Sequence, residues 1–101
     1  MRIKPGELLP FTRLSIEKDV PPVLATYALT RGEDVIFIGA AASAQAELQE
    51  HLAGTKGSGT ASATHFVSHR SEDPEGSRDT ALEAYQARFG RLPEFNEPVG
   101  I

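Results

Sequence analysis

Cysteine is missing from the chain, which removes disulfides, thiolate metal sites and cysteine nucleophiles at once. Long apolar runs are missing too. Nothing approaches the roughly 18 to 20 continuous apolar residues that a membrane-crossing helix needs, so no membrane partner is expected. The opening MRIKPGELLPF carries basic residues without an apolar stretch, and no signal peptide is expected from it. A cytoplasmic location is the expectation that follows. Basic residues are also short: ten Lys and Arg stand against fourteen Asp and Glu, for a net charge of −4. Strong binding to a nucleic-acid backbone advertises itself as a basic patch, and the overall balance argues against it while leaving room for a weak, local contact.

What is present is an ordinary soluble composition, 40% hydrophobic and 24% charged, in 101 residues, enough for one domain with a modest core. Residues 1–22 are punctuated by Pro5, Gly6, Pro10 and Pro21-Pro22. Between them Leu9, Phe11, Leu14 and Ile16 read as an arm packed on the domain, with room for a short strand. VLATYALT (23–30) and VIFI (35–38) flank RGED, and together they predict an antiparallel hairpin. Leu24, Thr26 and Ala28 share one face of the first strand; Val23, Ala25, Tyr27 and Leu29 share the other. The second strand is apolar on both faces, which predicts a central place in the sheet.

Gly39 then frees the chain to turn, and Ala41, Ala44, Leu48 and Leu52 repeat at helical spacing up to a stop at Gly54. GTKGSGTAS (54–62) reads as a flexible loop and ATHFVSHR (63–70) as a third strand. Asp73 and Pro74 open a second helix as N-cap and first position. Its stripe is Ala81, Leu82, Tyr85 and Phe89, and Gly90 ends it. Leu92 and Phe95 anchor an extended tail. The order β-β-α-β-α predicts a small α+β domain with a three-stranded antiparallel sheet flanked by helices.

A strand that turns at a glycine into a helix is a frequent phosphate site, but GAAASAQ (39–45) lacks the lysine of a phosphate loop. Around it stand Tyr27, Phe37, Glu47, His51 one turn beyond Glu47, and Asn96 in the tail. Phosphodiester cleavage needs a cation, a metal-binding carboxylate and a group to orient water. Tyr27 offers a hydroxyl and Asn96 an amide, yet Glu47 has the wrong sign for phosphate and Phe37 has no polar group. Periodicity alone reads Tyr27 and Phe37 as paired core aromatics. It reads Glu47 and His51 as a solvated i,i+4 pair. His65 and His69, about 13 Å apart along a strand, are too distant to share one metal ion. Glu72, Asp73 and Glu75 read as capping and solubility residues.

Taken in order, ATYAL (25–29), FIG (37–39), AELQEHL (46–52), ATHF (63–66), ALEAYQARFGRLP (81–93) and Asn96 resemble the GIY-YIG nuclease family. The resemblance covers 23–96 as a GIY-YIG-like domain, with 1–22 as its N-terminal arm and 97–101 as a C-terminal tail. In that family two motif tyrosines and a helix arginine surround the scissile phosphate, a glutamate on the later helix holds a divalent metal, and a late asparagine supports the site. The resemblance places Tyr27 at the first tyrosine, Gly39 at the motif glycine and Asn96 at the asparagine. It puts Phe37 at the second tyrosine, without the hydroxyl, and Glu47 at the arginine, a reversal of charge.

The metal glutamate falls at Thr80 or Ala81, leaving Asp79 and Glu83 as the nearby carboxylates and Arg78 as a candidate replacement cation. The resemblance with these losses implies a non-catalytic binding or interaction module, with no catalytic, cofactor or metal residue assigned. One alternative is a divalent-metal-dependent DNA endonuclease with a rearranged site. It would use Mg²⁺ or Mn²⁺ and a basic rim of Arg13, Arg31, Lys56, Arg70 and Arg78. The other is a protein-binding or oligomerising unit whose acidic first helix meets a partner.

Overall fold

Alternating β-formers on either side of a two-residue Gly32-Glu33 loop build the centre of the molecule. A computed structural model describes residues 3–4 and 6–96. The expected tail, 97–101, lies outside the described residues, as do residues 1, 2 and 5 of the arm. Strands β2 (Ala25–Arg31) and β3 (Asp34–Ala41) pair antiparallel as the expected hairpin. Positive φ falls on Gly32, at +64°, and on no other residue of that turn, which fits a type II′ connection.

The sheet has four strands, not the three expected. Numbering the elements in chain order adds β1 (Leu9–Pro10) and β4 (His65–Arg70), and the strand order is β1-β4-β2-β3, antiparallel throughout. The fourth strand is two residues long and sits in a proline-punctuated arm, so no period in the sequence marks it. Its pairs are Leu9 with Phe66 and Pro10 with His65. Proline is tolerated there because β1 is an edge strand. The interior strands are β4 and β2, and β3 lies at the other edge, contrary to the central place that its apolar run predicts.

Helices cover both faces of the sheet. On one face α1 (Arg13–Asp19) and α2 (Ala44–Leu52) close a cluster of Ile16, Ala25, Tyr27, Leu29, Leu48 and Phe66. On the other, α4 (Pro74–Phe89) lays Ala81 and Leu82 on Ala28, Ile38 and Val67. The division of β2 into two faces is as its alternation predicts. In β3 the register slips by one residue between Leu29–Phe37 and Thr30–Val35, so Ile36 has no opposite residue. This bulge turns both Ile36 and Phe37 toward the first cluster.

The arm packs on the domain and contains the short strand it left room for, β1, but Arg13–Asp19 folds as a helix that was not expected. Thr12 caps α1 by accepting from the Ser15 amide at 3.2 Å. Helical period carries Ile16 into the core but leaves Leu14, two positions back, 73% exposed; Leu14 is not the anchor expected of it. The loop after α2 contains the single helical turn α3 (Ser58–Ala61) rather than being featureless. Helix α4 begins and ends as expected, capped by Asp73 and stopped at Gly90 with φ +72°. Its stripe fades, however: Tyr85 is half-buried and Phe89 is 51% exposed, the two rings packing on each other at 4.5 Å. Among the described residues no helix is long and apolar enough to cross a membrane.

The end of the described chain closes the β3 edge. Phe95 donates its amide to Ile36 O at 2.9 Å, and the Asn96 side chain replaces a strand beside Ile38. Its Nδ2 donates to Ile38 O, and its Oδ1 accepts from Ile38 N, each at 2.9 Å. Removing a partner from two half-buried backbone groups costs about 1–3 kcal/mol. Asn96→Ala is therefore expected to lower unfolding stability by that amount in urea. A midpoint equal to the native one would refute this role for the amide.

Candidate functional site

Tyr27 and Gly39 are directly opposite residues of β2 and β3. The phenol ring lies across the glycine, and a Cβ built on Gly39 would stand 2.5 Å from Tyr27 Cζ and its hydroxyl oxygen. Glycine is required here by close approach, not by φ. With the ring in that position, the hydroxyl reaches His51 Nε2 at 2.7 Å, and His51 Nδ1 meets Thr60 Oγ1 at 2.8 Å. Strand, helix α2 and helix α3 are joined by one buried polar chain. A neutral imidazole has one donor and one acceptor, so the protons along Thr60, His51 and Tyr27 all point the same way.

His51 is 2% exposed and is not half of a solvated pair with Glu47. One helical turn separates them, yet Glu47 lies at the rim and His51 beneath it. Phe37 completes an aromatic group, with its ring 5.0 Å from His51 and 6.0 Å from Tyr27. Burial sets the protonation of the chain. Desolvation lowers the His51 pKa, helped by the Lys56 charge and opposed by Glu47 and Glu50. Desolvation also raises the Tyr27 phenol far above its ordinary value, with Glu47 and Glu50 adding to the effect. Both groups are held neutral.

These residues border a cleft of about 380 Å³ that straddles the β3 edge between the α2 and α4 sides of the sheet. Eight of the sequence candidates share it: Tyr27, Phe37, Gly39, Glu47, His51, Arg78, Asp79 and Asn96. Glu83 does not, and neither of the positions assigned to the metal glutamate does. Ala81 is buried in the α4 core, and Thr80 borders a separate depression beside Ser77 and His69. Among the described residues there is no group of three or more His, Asp or Glu side chains that could hold a metal ion.

Lys56, expected only as part of a basic rim, reaches the cleft as the partner of Glu47. Its ammonium is 2.7 Å from Glu47 Oε2 and 3.6 Å from Glu50 Oε2, and the bond to Glu47 is the chief cause of its raised pKa. Lys56 comes from the Gly/Ser/Thr loop, so nothing in helical spacing connects it with Glu47. Arg78 is likewise engaged, with Nε 3.1 Å from Asp79. Of the five basic residues proposed as a rim, Lys56 and Arg78 reach the cleft. Arg13 pairs with Glu17 and Arg31 with Glu94 away from it. His65 and His69 take separate partners, Thr64 and Glu7, and form no joint site. Asp73 caps α4, as expected.

Neither a protein-family model nor a curated protein sequence matches the chain.

Two outcomes follow from the Tyr27–His51 geometry. Gly39→Ala must push the phenol off its hydrogen bond, and overpacking of this kind costs about 1–3 kcal/mol. The Tyr27→Phe, Gly39→Ala double variant should lose less than the sum of the two single changes; strict additivity would contradict the coupling. The second outcome concerns pH. Because the folded His51 pKa lies below the unfolded value near 6.5, its stabilising contribution is present above that pH. It declines as the pH falls toward the depressed folded value. Between pH 7 and 5 the native urea midpoint should fall further than that of His51→Gln, and parallel curves would exclude His51 as the source.

Proposed function

We propose that this chain is a GIY-YIG-like domain without nuclease chemistry, serving as a binding or interaction module. The observation that carries the reading is the Lys56–Glu47 pair, 2.7 Å long, at the position where the resembled family has a phosphate-clamping arginine. A phosphate arriving there meets a carboxylate, and the nearest cation is already held by two acidic side chains. Phe37 supplies no hydroxyl, and the Tyr27 hydroxyl is committed to His51. Loss of a single oriented electrostatic group commonly reduces rates by about 10²- to 10³-fold. Several such losses together leave no useful turnover, although effects within one site need not multiply.

A cleft of about 380 Å³ falls within the ordinary range for small-ligand sites, so the frame suits binding without chemistry. The competing reading is a metal-dependent DNA endonuclease with rearranged ligands. It draws on the presence of Glu47 and Asp79 at the same cleft. Plasmid nicking with Mg²⁺ and Mn²⁺ separates the two. The binding-module reading expects no cleavage above a protein-free control. Cleavage that disappears in Tyr27→Phe and Asp79→Asn would overturn it in favour of the endonuclease.

A further inference from the structure

The two edges of the sheet are finished differently. At β3, Phe95 and Asn96 take up outward backbone groups of Ile36 and Ile38. At the opposite edge, β1 covers β4 only at His65 and Phe66. Continuing that register would set Glu7 against Ser68, but the Glu7 amide turns away and donates to Lys4 O at 3.0 Å. Alternate residues of an antiparallel strand bond to opposite sides. Ser71 donates its amide to Leu24 O on the β2 side, so Ser68 and Arg70 direct their N–H and C=O groups outward. Among the described residues these groups have no hydrogen-bond partner.

A groove of about 250 Å³ lies at this open edge, lined by Leu9, Val20, Phe66, Ser68 and the acidic Glu7 and Asp19. Among the described residues no Lys or Arg lines it. The exposed Arg70 follows two positions beyond Ser68, on the same face of β4 and about 7 Å along the strand. An acidic groove with a cation beside it on one edge is complementary to itself, and less so to a uniformly acidic or basic segment. We infer that the open half of β4 pairs antiparallel with the same strand of a second copy of this chain, about a two-fold axis through His69. Ser68 of each copy then faces Arg70 of the other, and each facing pair exchanges two backbone hydrogen bonds. Opposed residues share a face of the sheet, so each Arg70 reaches the groove that holds Asp19 of the second copy. The contact is isologous, and the two four-stranded sheets join into one. Strand β1 of each copy stops the pairing at Phe66, which keeps the interface short and the association weak. The inference concerns the edge opposite the cleft and does not rest on the binding-module reading.

Sedimentation equilibrium of the full chain up to about 1 mM tests the association, and amide hydrogen exchange at low and high concentration locates it. The mass should rise from one chain toward two, with a dissociation constant of about 10⁻⁴ M or tighter. The Ser68 and Arg70 amides should exchange about fivefold more slowly in the concentrated sample, the fraction buried at that affinity. Arg70→Glu and Asp19→Arg should each weaken self-association at least about fivefold, because like charges then meet at both ends of the contact. An equimolar mixture of the two variants should regain the native strength, since each supplies the charge that the other's edge requires. A chain that stays monomeric at about 1 mM would overturn the proposal. So would a dimer in which Ser68 and Arg70 exchange as in the monomer, or a mixture no stronger than either variant alone. The mass and exchange measurements use the native chain, so they decide the matter even if a variant fails to fold.

Discussion

The packing of the Tyr27 ring over Gly39 holds the rest of the site in place. A side chain on the glycine would displace the phenol. The displaced phenol would leave His51, 2% exposed, without a partner for Nε2. Through His51 the same contact ties α2 to β2, and through Thr60 it secures α3. A buried polar chain of this kind stabilises a single arrangement only when every member is satisfied, since the low dielectric that strengthens its bonds also penalises an unpaired group. The cleft is therefore built on a rigid base, while its charged residues stand at a more exposed rim.

That arrangement separates two kinds of residue that lie one turn apart. His51 is desolvated and neutral; Glu47 lies at the rim, where the Lys56 ammonium meets it. The nuclease-family resemblance proposed from the motifs draws attention to Glu47 as a reversed charge. The structure supplies the compensation, from a loop whose composition suggested only flexibility. Pairing makes the reversal tolerable to the fold, but it does not restore an uncommitted cation for phosphate. The sheet, by contrast, has four strands and a covered edge, which overturns the three-stranded order that the element reading predicted.

Legibility followed the range of the interactions. Helix α4 was readable to the residue because Asp73, Pro74 and Gly90 act locally on cap geometry. The β2–β3 hairpin was readable because alternation and the Gly32 turn agree. Strand β1 could be allowed for but not placed: two residues make no period, and their partner strand is more than fifty positions away. The central place predicted for β3 failed because an apolar run reports coverage of both faces, which β3 has, and says nothing about its number of neighbouring strands. In the site, Tyr27, Phe37, Gly39 and Asn96 could be gathered from their order along the chain. Burial of His51 and the reach of Lys56 depend on tertiary geometry and left no local signal.

The tail residues beside β3 bear on a hazard unconnected with ligand binding. VIFIGAA is an uncharged, proline-free run whose first four residues have high β-propensity, and it occupies an edge strand. Such edges recruit further strands from other molecules and can seed cross-β assembly. The Phe95 amide and the Asn96 side chain occupy the outward-facing carbonyl of Ile36 and both backbone groups of Ile38, in the middle of that run. The asparagine thus acts as a plug against self-templating. It gives this apolar edge segment a partner from within its own molecule.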